Sequence, residues 1–85
     1  MEYQAEIIIM PRPELLDPQG KAALESLKHL DITGVTLVSM GRHVLMNFEA
    51  ASEDEAREKV ETACKKLFAN QIVENYDYTL GRLLR

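Results

Sequence analysis

Many small proteins are stabilised by disulfide bonds in addition to a hydrophobic core, and this sequence has too few cysteines to form one. Its 85 residues include one cysteine and no tryptophan, so the chain cannot close a disulfide on itself. No apolar run approaches the roughly 18 residues of a membrane-spanning helix, and residues 1–4 lack the basic and then apolar order of a signal peptide. These absences predict a cytoplasmic protein that does not enter a membrane.

Concentrated positive charge is absent as well. Ten Lys and Arg are outnumbered by 14 Asp and Glu, which gives a net charge of -4. The longest basic run is Lys65-Lys66. A nucleic-acid surface needs clustered Lys and Arg to displace counterions from the phosphates, so nucleic acid is not an expected partner.

Residues that carry catalysis or bind metals are few and scattered. The two histidines, His29 and His43, lie outside the helical apolar pattern that contains Cys64. The thiol therefore has no base beside it and is predicted to be a small buried side chain. No C-x-x-C or H-x-x-x-H spacing marks a metal site, and the four glycines form neither a dinucleotide motif nor a P-loop. We expect no catalytic residue, no metal ligand and no bound cofactor on this chain.

What the sequence does contain is regular apolar periodicity. With 46% apolar and 28% charged residues it has a globular composition, and its length predicts one domain over residues 1–85. Alternating or β-branched segments predict four strands: Tyr3–Met10, Val35–Met40, His43–Glu49 and Ile72–Leu80. Apolar residues at helical spacing predict two helices: Pro18–Leu30, and a segment from the capping box at Ser52 and Glu55 to Leu67.

The order of these elements predicts a fold. Strand, helix, strand, strand, helix, strand with short connections is the α+β, ferredoxin-like βαββαβ arrangement, a four-stranded antiparallel sheet with two helices on one face. Gly41 and Arg42 would form the turn between the two middle strands, and Asn70 would close the second helix in the left-handed conformation. The first and third predicted strands carry apolar residues in both alternating positions, Ile7 and Ile9 against Ile8 and Met10 in the first, so apolar side chains would also lie on the face opposite the helices. We expect the chain to oligomerise through that face, with a homodimer as the unit.

The connection between the first strand and the first helix is unusual. Asp17 suits the N-cap, and Pro18 suits the first helical position, where its missing N–H leaves nothing unpaired. Gly20 costs about 1 kcal/mol of helix propensity in the first turn, which indicates that something packs closely against it. Two interpretations stay open: a tight cap within the chain, or a surface that a partner contacts.

Four segments form a recognisable set. They are Leu16-Asp17-Pro18-Gln19-Gly20-Lys21, Leu67-Phe68-Ala69-Asn70, Ala5–Pro11 and the hairpin around Gly41. Together they resemble the PurS family, the small subunit of phosphoribosylformylglycinamidine synthase in purine biosynthesis. The resemblance extends from about Tyr3 to about Tyr78, nearly the full chain.

The resemblance implies a subunit and not a freestanding enzyme. It implies a homodimer or dimer of dimers that joins a glutaminase (PurQ-type) subunit, which releases ammonia, to a synthetase (PurL-type) subunit. The synthetase subunit would use ATP and Mg to convert formylglycinamide ribonucleotide to the amidine, and the small subunit would bind neither. Positions that match the family's motifs are the candidate partner contacts: Asp17, Pro18, Gln19, Gly20, Lys21, Gly41, Arg42, Asn70 and Tyr76.

One other function stays open. Small-molecule-binding regulatory domains share the ferredoxin-like topology and also dimerise, so the fold alone does not separate them from a synthase subunit. They usually carry a Gly-rich loop after the first strand, where this chain has Pro11-Arg12-Pro13. Calorimetry with amino acids would detect such a ligand site.

Overall fold

A computed structural model of the chain describes residues 1–84 and shows, within them, a three-stranded antiparallel sheet and two α-helices. The elements in chain order are β1 (Glu2–Pro11), α1 (Pro18–His29), β2 (Arg42–Glu49), α2 (Glu53–Ala63) and β3 (Glu74–Arg82), and a π-helical turn (Cys64–Phe68) extends α2. β1 is the central strand, flanked by β2 and β3. The α+β class and the order of the elements are as predicted, apart from one strand.

The core lies between β1 and α2. Alternate side chains of β1 point to one face and are almost completely buried: Tyr3, Ala5, Ile7 and Ile9. α2 covers them with Ala56 and Val60, and Cys64 follows in the next turn with no exposed surface. The predicted burial of Cys64 is confirmed, and burial raises the pKa of its thiol.

α2 begins as the sequence predicts but ends differently. The Ser52 hydroxyl accepts the N–H of Glu55 at 3.2 Å, and the Glu55 carboxylate accepts a backbone N–H at 2.9 Å in return. At the other end, the Ala69 N–H donates to the Cys64 carbonyl at 2.9 Å across the π-turn. The wider turn changes the helical register, so Leu67, which was predicted to face the core, is 76% exposed.

α1 and the residues after it project away from the sheet. We call the unit Pro18–Gly41 the finger. α1 makes no extensive contact with the sheet or with α2, and Gly20 is its one buried residue. The described residues span 51 × 30 × 15 Å with a radius of gyration of 16.7 Å, against about 12 Å for a compact chain of this length. The expectation that both helices cover one face of the sheet is therefore met by α2 alone.

The predicted strand at Val35–Met40 is wrong. We call this segment the arm; it joins neither edge of the sheet. The Met40 N–H donates to the Asp17 carboxylate at the start of α1, so the arm runs back along the length of the helix, about 18 Å.

The physical reason is that the predicted hairpin turn does not form. A two-residue hairpin turn needs at least one residue with positive φ, and among the described residues only Asp31 and Gly34 have one. These two residues turn the chain at the tip of the finger. Gly41 therefore does not reverse the chain, and Arg42 is the first residue of β2.

The face of the sheet opposite α2 is largely polar. Cross-strand neighbours on it are Ile8 with His43 and Asp77, and Glu6 with Leu45 and Thr79. Ile8 and Leu45 are 52% and 59% exposed, and polar side chains separate them. This face does not by itself require a covering chain, so the predicted reason for oligomerisation is not supported.

β3 lies further along the chain than predicted. It pairs with β1 from Glu74 to Arg82, and the residues before it form a turn. Of residues 81–85, whose conformation the sequence left open, the first two belong to β3 and residue 85 lies outside the described residues. Within residues 1–84, no helix is long and apolar enough to cross a membrane.

Candidate functional site

Five of the residues singled out in the sequence meet at one corner, where the base of the finger joins the sheet. An open cleft of about 660 Å³ lies there, which we call the corner cleft. The five candidates that line it are Asp17, Pro18, Gln19, Gly41 and Arg42. Residues far apart in the sequence thus form one surface.

Asp17 connects the two ends of the finger, which are the first turn of α1 and the end of the arm. One carboxylate oxygen accepts the N–H of Gly20 at 3.1 Å and caps α1, as predicted. The other accepts the N–H of Met40 at 3.0 Å. The Met40 N–H, and then that of Gly20, hold the pKa of the Asp17 carboxyl below its ordinary value.

Two glycines allow close backbone approach at this corner. A Cβ on Gly20 would collide with the Val38 carbonyl oxygen and with the Asp17 carboxylate. A Cβ on Gly41 would collide with the Ile9 carbonyl oxygen and the Met10 sulfur. The sequence correctly predicted close packing against Gly20, and the packing group is the chain's own arm.

Arg42 holds three parts of the chain together. Its guanidinium donates to the Phe68 carbonyl at 2.8 Å and to both Glu74 carboxylate oxygens at 2.9 Å. The Glu74 carboxylate also accepts the N–H of Asn70 at 2.9 Å. That N–H, followed by Arg42, lowers the pKa of Glu74. Arg42 therefore links β2, the end of the π-turn and the start of β3.

Asn70 stabilises a turn but does not close the helix as predicted. Its φ is not positive, and its side-chain oxygen accepts the Ile72 N–H at 3.2 Å. The helix is closed by the π-turn, with an extended Ala69 after it. Asn70 thus shapes the loop beside the corner cleft, and the predicted left-handed conformation is wrong.

Tyr76 and Lys21 lie outside the corner cleft. The Tyr76 hydroxyl donates to the Glu61 carboxylate at 2.6 Å, on the face that α2 covers. This bond to a carboxylate raises the pKa of Tyr76 to about 12. Lys21 is exposed on the first turn of α1. The Tyr76 hydroxyl thus links β3 to α2 by a hydrogen bond inside the chain, whereas the Lys21 side chain is exposed to solvent.

Sequence reasoning missed the exposed apolar residues around the cleft. Leu15 and Leu16, which line the cleft, are 41% and 76% exposed, and Val73, which also lines it, is 41% exposed. The signal that could have found them is an adjacent Leu pair in a connection otherwise rich in polar and proline residues. Apolar side chains rimmed by polar ones are typical of interaction surfaces.

The corner combines apolar side chains with charged groups that make hydrogen bonds inside the chain. Among residues 1–84, no group of three or more His, Cys, Asp or Glu is placed to hold a metal ion. The charged groups of the corner, Asp17, Arg42 and Glu74, are occupied by hydrogen bonds within the chain. The corner offers an apolar rim over a rigid hydrogen-bonded base.

Comparisons with known proteins agree with this description. Residues 4–82 match the family model PurS, described as phosphoribosylformylglycinamidine (FGAM) synthase. The chain is 35% identical over 81 residues to the FGAM synthase subunit PurS of Synechocystis, covering 95% of this chain and 81% of that one.

Solved structures show the same fold. Bacillus subtilis PurS matches with a TM-score of 0.86 and 28% identity, over 94% of this chain and 99% of that one. A chain in the structure of PurLQS from Thermotoga maritima matches with a TM-score of 0.85 and 25% identity, over 95% and 99% of the two chains.

Proposed function

The chain belongs to the PurS family, the small subunit of FGAM synthase, and we propose that it joins the larger subunits of that enzyme through the corner cleft and its apolar rim. FGAM synthase is a ligase complex of purine biosynthesis that uses ATP, and this chain is one of its subunits. Family membership assigns the chain to the synthase and not to a regulatory ligand-binding domain.

The observation that carries the proposal is the match to a PurLQS chain over 99% of that chain's length. A chain that matches a complex subunit from end to end, and has no set of residues fitted for catalysis in the part described, contributes by binding. We therefore assign it the role of bridging a glutaminase (PurQ-type) and a synthetase (PurL-type) subunit. The bridge keeps the two active sites close, so that ammonia released from glutamine reaches formylglycinamide ribonucleotide without loss to solvent.

Within the chain, the residues assigned to this contact are those with free surface at the corner. Leu16 is 76% exposed, Pro18 and Gln19 are exposed on the first turn of α1, and Lys21 follows. The other candidates from the sequence make contacts inside the chain. Asp17, Gly20, Gly41, Arg42 and Asn70 hold together the segments around this surface, whereas Tyr76 lies away from it and links β3 to α2.

The test is a pair of matched leucine variants. Leu16→Asp places a charge on the rim of the cleft, whereas Leu84→Asp places the same charge on a similarly exposed leucine after β3, at the opposite end of the sheet. A buried interfacial leucine contributes about 2 kcal/mol, so Leu16→Asp should weaken binding to the larger subunits at least tenfold and lower glutamine-dependent FGAM synthesis. Leu84→Asp should bind normally. Equal binding by both variants would contradict the assignment.

The proposal also includes a homodimer, alone or as a dimer of dimers, in the cytoplasm where purines are made. The exposed area of the chain is 6294 Å², whereas a compact monomer of 9.7 kDa exposes about 5,100 Å². The excess of about 1,200 Å² exceeds the roughly 800 Å² that each partner buries in a stable interface. Sedimentation equilibrium, whose result does not depend on the shape of the particle, measures the mass directly.

A further inference from the structure

A chain that bridges two larger subunits needs more than one contact surface, and the corner cleft is one. The cleft lies at the end of the sheet where β1 ends and where β2 and β3 begin. The face of the sheet opposite α2, which we call the open face, is a separate surface. Within the described residues no helix packs on it, because α2 covers the other side and α1 makes no extensive contact with the sheet.

The centre of the open face combines apolar and charged side chains. Ile8 of β1 and Leu45 of β2 occupy diagonal positions across the two strands, and each is more than half exposed. The other diagonal joins Glu6 to His43, with 3.9 Å between the carboxylate oxygen and Nε2 of the imidazole. Exposed aliphatic side chains surrounded by polar ones are typical of a surface that contacts another protein.

Polar side chains next to this centre are held in place. Gln4 Nε2 of β1 donates to Asn47 Oδ1 of β2 at 3.0 Å. The Asp77 carboxylate on β3 accepts the N–H of Tyr78 at 2.8 Å. Side chains that are already ordered lose less conformational entropy when a partner binds. The open face therefore presents fixed hydrogen-bonding groups around its apolar pair.

The ionisable groups of the open face indicate the chemistry of its partner. Alternation along the three strands places five of them there: Glu2, Glu6, Glu49, Asp77 and His43. No Lys or Arg of the three described strands lies on this face, since Arg42 and Arg82 are on the side that α2 covers. Along α2, by contrast, carboxylates pair with Arg57 and Lys59. The open face is thus acidic without compensating cations from its own strands.

We propose that the open face is a second docking surface for a larger subunit of the synthase, which binds it with Lys or Arg side chains around an apolar patch. The carboxylates pair with the cations, and Ile8 and Leu45 pack on the patch. A second copy of this chain is a poorer occupant, because two open faces would bring like charges together. The inference rests on the proposed function and adds a contact separate from the corner cleft.

Charge reversal at matched positions tests the open face. Glu6→Lys reverses a charge on it, and Glu58→Lys makes the same change at an exposed position of α2. Each larger subunit is titrated with the wild-type chain and with both variants, at low and at high salt. We expect Glu6→Lys to weaken binding of one larger subunit about tenfold at low salt and to reduce the salt dependence of its affinity. Glu58→Lys should bind like the wild type.

A second variant tests the apolar centre without changing the charge, and it decides the question if Glu6→Lys does not fold. Leu45→Gln on β2 should weaken binding of the same subunit, and its control is Leu67→Gln, at an exposed leucine of the π-turn. The loss should be similar at low and at high salt, because burial of an apolar side chain is not screened by ions.

The outcomes separate the open face from the proposed function. Equal affinity and equal salt dependence of Glu6→Lys and Glu58→Lys overturn the open face as a docking surface and leave the corner cleft to be tested by Leu16→Asp. A lower particle mass for Glu6→Lys alone, measured by sedimentation equilibrium without the larger subunits, places a second copy on the face and also overturns the proposal. If the wild-type chain binds neither larger subunit, the proposed function itself fails.

Discussion

At Gly20 the sequence predicts close packing but not the residue that packs there. Its poor helix propensity in the first turn predicts a close neighbour, but the neighbour, the Val38 carbonyl, comes from a segment whose path no local pattern specifies. We expect Gly20→Ala to lower the free energy of unfolding by about 1–3 kcal/mol, because the new methyl group must displace backbone. Urea denaturation measures the loss.

Gly81→Ala is the matched control, since a Cβ at Gly81 meets no atom within 4 Å and its φ is not positive. It should change the free energy of unfolding by less than about 0.5 kcal/mol. Equal effects of the two substitutions would contradict the close contact at Gly20.

Tyr76, a candidate partner contact from the sequence, also makes a hydrogen bond inside the chain that links β3 to α2. Tyr76→Phe removes the hydrogen bond to the Glu61 carboxylate and should cost about 1 kcal/mol of unfolding free energy. Binding to the larger subunits should not change. A variant of normal stability that fails to bind them would restore Tyr76 as a contact residue.

The same tyrosine predicts a pH dependence at high pH. Its folded pKa of about 12 lies above the ordinary value near 10, so the neutral form stabilises the fold. That stabilisation is complete below about pH 10 and is lost as the pH rises through about 12. Stability of the wild-type chain should therefore fall over this window more steeply than that of Tyr76→Phe. Parallel pH profiles would show that the bond does not form in solution.

Among the elements, the ones set by local pattern were predicted well and the ones set by distant contacts were not. β1 alternates buried and exposed residues, and the Ser52 cap fixes the start of α2. Ion pairs at i,i+4 spacing, another local pattern, also form: Glu53–Arg57 and Glu55–Lys59 along α2, and Glu61–Lys65 from α2 to the π-turn. The arm has the composition of a strand, but strand formation needs an edge to pair with, and Asp17 and Gly41 direct it elsewhere.

α2 offers a direct test of the predicted cap. Ser52→Ala removes the acceptor of the Glu55 N–H and should lower the free energy of unfolding by about 1 kcal/mol. Ser26→Ala, on the exposed side of α1, is the matched control and should have little effect. A Ser52→Ala variant as stable as the wild type would contradict the capping geometry.

At the scale of the whole molecule, the corner cleft forms where separate elements meet, and no local sequence pattern predicts that they meet there. The corner cleft joins residues from β1, α1, β2 and β3, and its apolar rim at Leu16 and Val73 lies outside any regular element. The family motifs identified about half of the residues that line the cleft. Several of these motif residues, such as Asp17 and Arg42, hold the segments around the cleft together by hydrogen bonds inside the chain. Leu15 and Leu16 were not predicted as contact residues because they lie in a loop, where apolar periodicity does not indicate which side chains are exposed to solvent.

The most direct test is reconstitution of FGAM synthesis with the chain omitted. The synthetase and glutaminase subunits are mixed with ATP, Mg²⁺, formylglycinamide ribonucleotide and glutamine, with and without this chain, and an ammonium salt replaces glutamine in a parallel pair. We expect omission to abolish glutamine-dependent synthesis while ammonium-dependent synthesis by the large subunit persists. Full glutamine-dependent synthesis without this chain would contradict the role assigned to it.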